Sequence, residues 1–329
     1  GFKIETPEIA VITNKQSLDF YTTIIKEGQA AIERQVARKD KNIIEIHINL
    51  EDSYEMEETD FKKLEELIRN EHLYKLRIIG TTYPVLYANI FKKPLPFKNI
   101  IKLDLDNTFG VDLETINEIF PNLKKIVDNR CLSAETDVLD YTKFEKLNYL
   151  EINFSNKVSS TVNIKSKGFS LKLFAADRTT NSITIDPESE ITEIIIEYSD
   201  INKIEYSKDL TFLKILNSSI KEILGITSLV YAEIYGGNNL VQLLDNITDK
   251  VENLTINNYV DRFMPSLPLI SYTKLKKIKL NQSSIRLMGS STKISNLPLI
   301  IEYHIPNEDV LKNLERFMKF DNIGDSKLF

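Results

Sequence analysis

The feature that most constrains the fold of this chain is a short apolar pattern that recurs along most of its length. In each copy, three apolar residues are separated first by two variable residues and then by one, as in Ile100, Leu103 and Leu105. From Ile100 onward, neighbouring copies start 19 to 24 residues apart. This spacing predicts a repeat protein in which each unit packs only on its neighbours. Clear copies begin at Ile100, Leu147, Ile191, Leu210, Val251 and Leu275, and weaker copies at Leu73, Leu123, Leu171, Leu229 and Leu297.

The pattern and its period resemble those of the leucine-rich repeat superfamily, in which repeats are ~20–29 residues long. The resemblance extends from about residue 44 to about residue 301 and is to irregular, divergent members of the family. It implies an α/β leucine-rich-repeat solenoid: a curved parallel β-sheet, with helices, 3₁₀ turns or extended segments on the convex side and helical caps at both ends. The asparagine that the family places after each strand is replaced here by hydroxyl residues, namely Thr108, Ser155, Ser199, Ser218 and Ser283.

The segments that return from one strand to the next carry a second apolar set. Leu113, Ile116 and Ile119 have helical spacing and predict a helix on the convex side. A shorter return segment contains Ile220, Ile223 and Leu224, and here we expect a 3₁₀ turn or extended chain with these residues facing inward. Gly236 and Gly237 follow a predicted strand, which indicates a turn with positive φ.

The two ends of the chain differ from its middle. Apolar residues at helical spacing predict amphipathic helices over residues 16–38 and 57–69. Near the other end, Asn307 is a good N-cap for a helix that continues to Met318. Because a solenoid exposes apolar core at both ends, these helices are predicted to be caps. We therefore expect an N-terminal helical cap with a first irregular repeat at 1–72, the leucine-rich repeat solenoid at 73–301, and a C-terminal cap helix and tail at 302–329.

Composition and motifs argue against catalysis. The chain has a net charge of −6, a single cysteine (Cys131) and three histidines, and it lacks the spaced motifs of phosphate-binding loops, serine hydrolases and zinc sites. We therefore predict that the protein is not an enzyme and has no cofactor and no metal site. The negative charge disfavours nucleic acid as a partner, and no apolar run approaches the ~20 residues that span a bilayer, so membrane insertion is not expected.

The residues between the apolar positions of each repeat are predicted to project from the concave face of the sheet. Three adjacent repeats place apolar and aromatic residues there beside acidic ones, and a later repeat is basic through Lys277 and Lys279. An apolar centre with charged flanks is typical of a protein-binding surface. The alternatives are that a terminal segment of the same chain covers this surface, or that the register is shifted by one residue, which would exchange the two faces. The predicted partner-binding residues are Glu193, Ile195, Glu197, Phe212, Lys214, Leu216, Tyr231, Glu233 and Tyr235.

The leading functional prediction is a non-enzymatic scaffold that binds a protein or peptide partner on the concave face. A second hypothesis is a substrate-recruiting subunit of a ubiquitin ligase or other complex, since the repeats resemble those of F-box adaptors, although residues 1–42 contain no recognisable F-box. A third is a surface adhesin or secreted effector of a bacterium or protist. The single cysteine favours an intracellular location, and the absence of an initiator methionine before Gly1 leaves open an upstream domain or signal peptide.

Overall fold

A computed structural model describes residues 9–33, 43–130, 138–154, 161–165, 167–175, 181–236, 240–257, 266–281, 285–288, 300–304, 308, 312 and 326–328. The chain divides into two compact units. The first comprises Gly1–Glu135 and Lys143–Ser155, and the second comprises Thr136–Thr142 and Asn156–Phe329. Both are built on parallel β-sheets, so the coarse α/β class is as predicted. Within the described ranges, no helix has both the length and the apolar content needed to cross a membrane.

The first unit contains one parallel sheet with helices between its strands. Neighbouring strands hydrogen-bond in chain order. The strands are β1 (Ile9–Ile12), β2 (Glu45–Ile48), β3 (Lys75–Ile79), β4 (Lys102–Asp106), β5 (Lys125–Asn129) and β7 (Tyr149–Phe154); β6 (Val138–Asp140) belongs to the second unit. The helices are α1 (Lys15–Glu33), α2 (Glu58–Ile68), α3 (Thr82–Leu86), which continues into a π-helical turn at Tyr87–Phe91, and α4 (Leu113–Ile119).

Local side-chain contacts explain where these helices begin. At the start of α1, the Ser17 amide donates to Asn14 Oδ1 at 3.0 Å, and the Asn14 amide donates to Ser17 Oγ at 3.1 Å. This reciprocal pair satisfies amides that have no partner inside the helix. At α4 the carboxylate of Asp112 accepts the amide of Glu114 at 3.3 Å. The predicted helices of the first unit are confirmed, the first of them as far as Glu33, whereas the predicted C-terminal helix lies largely outside the described residues.

The core of the first unit is formed by the apolar positions of the repeat, and at one of these positions the sequence has a charged residue instead. Leu103 and Leu105 are fully buried on β4. In the corresponding position on β5, the sequence has Asp128, which is also buried and forms an ion pair with buried Arg130 at 2.7 Å. The Arg130 guanidinium also donates to the Val111 carbonyl at 2.8 Å. A buried acid is tolerated here because a buried cation compensates its charge.

In the described residues of the second unit, eight parallel strands pair side by side in one sheet, five form another, and two short strands pair with each other. The eight-stranded sheet consists, in order, of β9 (Lys167–Ala175), β11 (Glu190–Glu197), β13 (Leu210–Leu216), β15 (Leu229–Tyr235), β16 (Val251–Asn257), β18 (Lys277–Asn281), β20 (Ile300–His304) and β21 (Ser326–Leu328). The five-stranded sheet consists of β6 (Val138–Asp140), β8 (Thr161–Ile164), β10 (Asn181–Ile185), β12 (Asp200–Glu205) and β14 (Ser219–Leu224). The described part of this unit also contains α5 (Leu240–Asp245), the pair β17 (Ser266–Pro268) and β19 (Arg286–Met288), and a 3₁₀ turn at Leu269–Ser271.

Between β11 and β15 the chain repeats a simple path of strand, turn, strand and turn. We call one such path, from the start of one strand of the first sheet to the start of the next, a coil. Glu193 pairs with Phe212 and Phe212 with Tyr231, so equivalent residues of neighbouring coils are 19 residues apart. The short return segments are therefore extended strands that form the second sheet, which is one of the two conformations expected. The expectation that Leu224 faces inward is wrong, since it is 43% exposed while Ile223 is buried. Adjacent residues of a strand point to opposite faces, so both could not enter the core.

The turn after each of these strands begins with a residue of positive φ. These residues are Tyr198 (φ 48°), Asn217 (φ 44°) and Gly236 (φ 60°). The Tyr198 amide donates to the Leu216 carbonyl at 2.9 Å, so each turn hydrogen-bonds to the next coil. The predicted positive φ at Gly236 is confirmed, and Gly237 lies outside the described residues. Ser199 and Ser218, two of the hydroxyl residues that replace the family's asparagine, lie in these turns. The Ser199 amide donates to Ser218 Oγ at 3.0 Å, so the hydroxyl group of one turn binds the backbone of the neighbouring turn.

Candidate functional site

All nine predicted binding residues lie on one face of the eight-stranded sheet, on β11, β13 and β15. The pairing aligns them in three rows across the strands. We call this surface the central patch. Its rows are Glu193, Phe212 and Tyr231; Ile195, Lys214 and Glu233; and Glu197, Leu216 and Tyr235.

The opposite face of these strands is the core. Ile194 and Ile196 on β11, Leu213 and Ile215 on β13, and Ala232 and Ile234 on β15 are all buried. The register is therefore the predicted one, and a shift by one residue does not occur. The central patch residues are half-buried, except Tyr231, which is 50% exposed.

The centre of the patch contains a small group of interacting side chains on β13 and β15. The Lys214 ammonium lies over the Tyr235 ring, 5.3 Å from its centroid. The Tyr235 hydroxyl donates to Glu233 Oε2 over 3.4 Å. Burial and the nearby Glu233 carboxylate raise the pKa of Tyr235 above its usual value, so it stays a neutral donor near pH 7. These contacts hold one tyrosine in place and leave Tyr231 the more accessible of the two.

The same three rows continue across β16 and β18, where their chemistry changes. Asn253, Thr255 and Asn257 follow the patch on β16, and Lys277 and Lys279 lie on β18. Lys277 forms a 2.7 Å ion pair with Glu302 on β20. The face therefore changes from aromatic and acidic to amide-bearing and then to basic, as the sequence predicted.

The corresponding face of the first unit is richer in charged side chains, although Tyr149 on β7 also lies on it. The Lys75 ammonium lies 2.7 Å from Glu45 Oε1, and His47 Nε2 lies 2.8 Å from the same oxygen. Burial opposes ionisation of Glu45, but the hydrogen bonds from Lys75 and His47 outweigh it and lower the pKa of this carboxyl. Arg77 forms an ion pair with Asp106. Asp104 lies on the same face, next to Arg77 on the neighbouring strand, and one of its buried carboxylate oxygens has no hydrogen-bond partner in the described part of the chain.

An open cavity of about 410 Å³ lies at the start of β11 and β13, away from the predicted residues. Its lining is rich in hydroxyl groups and includes Thr192, Thr211 and Thr227 together with Glu190 and Asp209. Asp209 is fully exposed, and hydrogen bonds from Thr227 and Ser228 lower its pKa. Within the described part of the chain, no three His, Cys, Asp or Glu side chains are grouped closely enough to hold a metal ion.

Comparison with known proteins adds no further constraint. No family model, curated protein or solved structure matches this chain significantly. The leucine-rich repeat family therefore stays a prediction from the sequence.

Two features of these faces were not predicted from the sequence. The first is the contact of Lys214 with Tyr235, which joins residues of different strands. The second is the cluster around Glu45, although Ile43, Ile46 and Ile48 have the spacing of the repeat and are all buried. This copy was not among the predicted ones, and its alternation Glu45-Ile46-His47-Ile48 would have placed Glu45 and His47 on one face.

Proposed function

We propose that this protein is a non-enzymatic interaction scaffold of the leucine-rich repeat type, and that the central patch binds a protein or peptide partner. The observation that carries the proposal is the alignment of Phe212 with Tyr231 and of Leu216 with Tyr235 on adjacent strands. Two pairs of aromatic or aliphatic side chains thus lie on a sheet face that is not part of the core, one on each side of the row that contains Lys214 and Glu233. Apolar groups clustered in this way, with charged neighbours, are typical of interfaces.

The rigidity of the support favours the same function. Each patch residue is held by a strand that is hydrogen-bonded on both sides, and the residues between them are anchored in the core. Backbone held in this way needs no further ordering when a partner binds, which favours affinity. Tyrosine and phenylalanine also contribute large contact areas with few rotatable bonds.

The scaffold proposal is tested by affinity capture of partners with the wild-type chain and with a Phe212→Ala, Tyr231→Ala, Tyr235→Ala variant. A matched control removes the same kind of side chain elsewhere, at Phe20, Tyr74 and Phe109, which are 57%, 41% and 50% exposed. We expect the wild type and the control to retain a common partner and the patch variant to lose it. Equal recovery by all three folded proteins would refute binding at the patch.

The leucine-rich repeat assignment is supported by three features of this chain. These are the spacing of the apolar pattern, parallel strands that pair in register with those of the next repeat, and buried hydroxyl residues in the turns. The adaptor and the adhesin or effector hypotheses, and the intracellular location, stay predictions.

A further inference from the structure

Glu233 occupies the middle of the central patch. It lies between Tyr231 and Tyr235 on β15, and alternate residues of a strand share one face, so the carboxylate is flanked by the two tyrosines. Lys214 precedes it in the same row on β13, and Thr255 follows it on β16. The side chain of Glu233 is half-buried.

The carboxylate of Glu233 is poorly compensated for this position. Its hydrogen bond from Tyr235 is long, at 3.4 Å, whereas good hydroxyl–carboxylate bonds are ~2.5–2.7 Å. The nearest cation in its row, Lys214, lies over the Tyr235 ring. Among the described ion pairs, none joins Glu233 to a Lys, Arg or His within 4.0 Å. A half-buried anion between two tyrosines, with no cation within ion-pair distance among the described pairs, is therefore a position where an external cation would be favourable.

We propose that the partner of the central patch is an extended peptide segment that presents an arginine or lysine side chain to Glu233, between Tyr231 and Tyr235. This inference rests on the proposed function and specifies the chemistry of the partner. The cation would form an ion pair with the carboxylate and lie against the tyrosine faces, which attract positive charge. Apolar residues of the peptide on either side would contact Phe212 and Leu216 on the neighbouring strand.

The test is a selection of random peptides on the full chain. Displayed peptides of about twelve residues, long enough at ~3.3 Å per residue to cross the patch, are selected on the wild-type protein. Selected sequences are synthesised, and their affinities are measured by fluorescence anisotropy for the wild type, Tyr231→Ala, Glu233→Gln and Glu233→Lys. Glu222→Gln is the matched control, because Glu222 is an exposed glutamate on β14 of the other sheet.

We expect peptides that need Tyr231 to carry Arg or Lys at a fixed position next to apolar residues. Replacing that basic residue by Gln, or Glu233 by Gln, is expected to weaken binding about tenfold or more, and Glu222→Gln to have no effect. A peptide with Glu at the basic position should bind Glu233→Lys better than the wild type.

Two contrary results are distinguishable. Peptides that require Tyr231 but bind Glu233→Gln as well as the wild type would overturn the basic-peptide inference and leave the proposed function standing. A selection that yields no peptide dependent on Tyr231 would overturn both.

Discussion

The buried hydroxyl of Tyr206 is predicted to contribute measurably to stability through a single backbone position. The Ile191 amide donates to Tyr206 Oη at 2.8 Å, and the hydroxyl donates to the Ile191 carbonyl at 3.1 Å. Tyr206 is 1% exposed and Ile191 is 2% exposed. The pairing of β11 with β9 is irregular on both sides of Ile191, so the hydroxyl occupies a place where the strand ladder is interrupted.

Tyr206→Phe keeps the ring and removes the oxygen that serves both backbone groups. No cavity larger than one oxygen atom forms, so the loss is that of the hydrogen bonds. Leaving a buried donor without a partner costs about 1–3 kcal/mol, and we expect the free energy of unfolding to fall by this amount. The chain contains no tryptophan, so urea unfolding is followed by circular dichroism, with the slope of the transition compared to establish that it is unchanged.

Tyr231→Phe is the control for Tyr206→Phe, because Tyr231 is 50% exposed and water can replace any bond that its hydroxyl makes. Its effect should lie within ~0.5 kcal/mol of zero. If Tyr206→Phe destabilises the protein no more than this control, the hydroxyl does not stabilise the irregular part of β11 and the reasoning is refuted.

Three further predictions concern stability. Gly225→Ala should destabilise the protein more than Gly110→Ala. Both glycines have positive φ, but a Cβ at Gly225 would lie 2.9 Å from a backbone carbonyl oxygen, whereas at Gly110 the nearest atom is 4.0 Å away. Equal melting temperatures of the two variants would contradict this. Asp128→Ala should lower the free energy of unfolding by about 3–5 kcal/mol, because it leaves Arg130 buried without its carboxylate. The double variant Asp128→Leu, Arg130→Met removes both charges, so its free energy of unfolding, measured in urea, should be close to that of the wild type. The lowered pKa of Glu45 gives stability that is present above the unfolded-state pKa, near 4.5, and lost as the pH falls through the folded-state value. The free energy of unfolding of Glu45→Gln should therefore fall less than that of the wild type when the pH is lowered. Identical pH profiles of unfolding for the two proteins would show that Glu45 contributes nothing.

The sequence predicts the strands well because one physical property determines them. Burial of every second side chain requires the apolar alternation, and even the weaker copies at Leu123 and Leu229 form strands. Two positions depart from the pattern. Asp128 is buried, and its charge is compensated by Arg130 two residues later; Ala232 is smaller than the usual residue but apolar, so it needs no compensating charge.

Other features depend on partners that are distant in the chain. The second sheet is not evident from the return segments, because each contributes only a few apolar residues, and their pairing depends on the coils already being aligned. Tyr198 has positive φ although tyrosine has no preference for it, since the neighbouring coil fixes the turn. The central patch itself could be predicted from alternation, whereas the contact of Lys214 with Tyr235 could not, since it depends on rotamers on two strands.

The 19-residue pairing of the coils between β11 and β15 has a consequence for how this chain can change length. Duplication of one whole coil would preserve every inward and outward position and would add one strand to each sheet. An extra residue inside β15 would instead exchange the faces of part of that strand and could turn Tyr231 or Glu233 toward the core. The turns between strands absorb other differences in length, since copies along the chain start 19 to 24 residues apart and still align. Each added coil would widen the face that carries the central patch by ~4.8 Å.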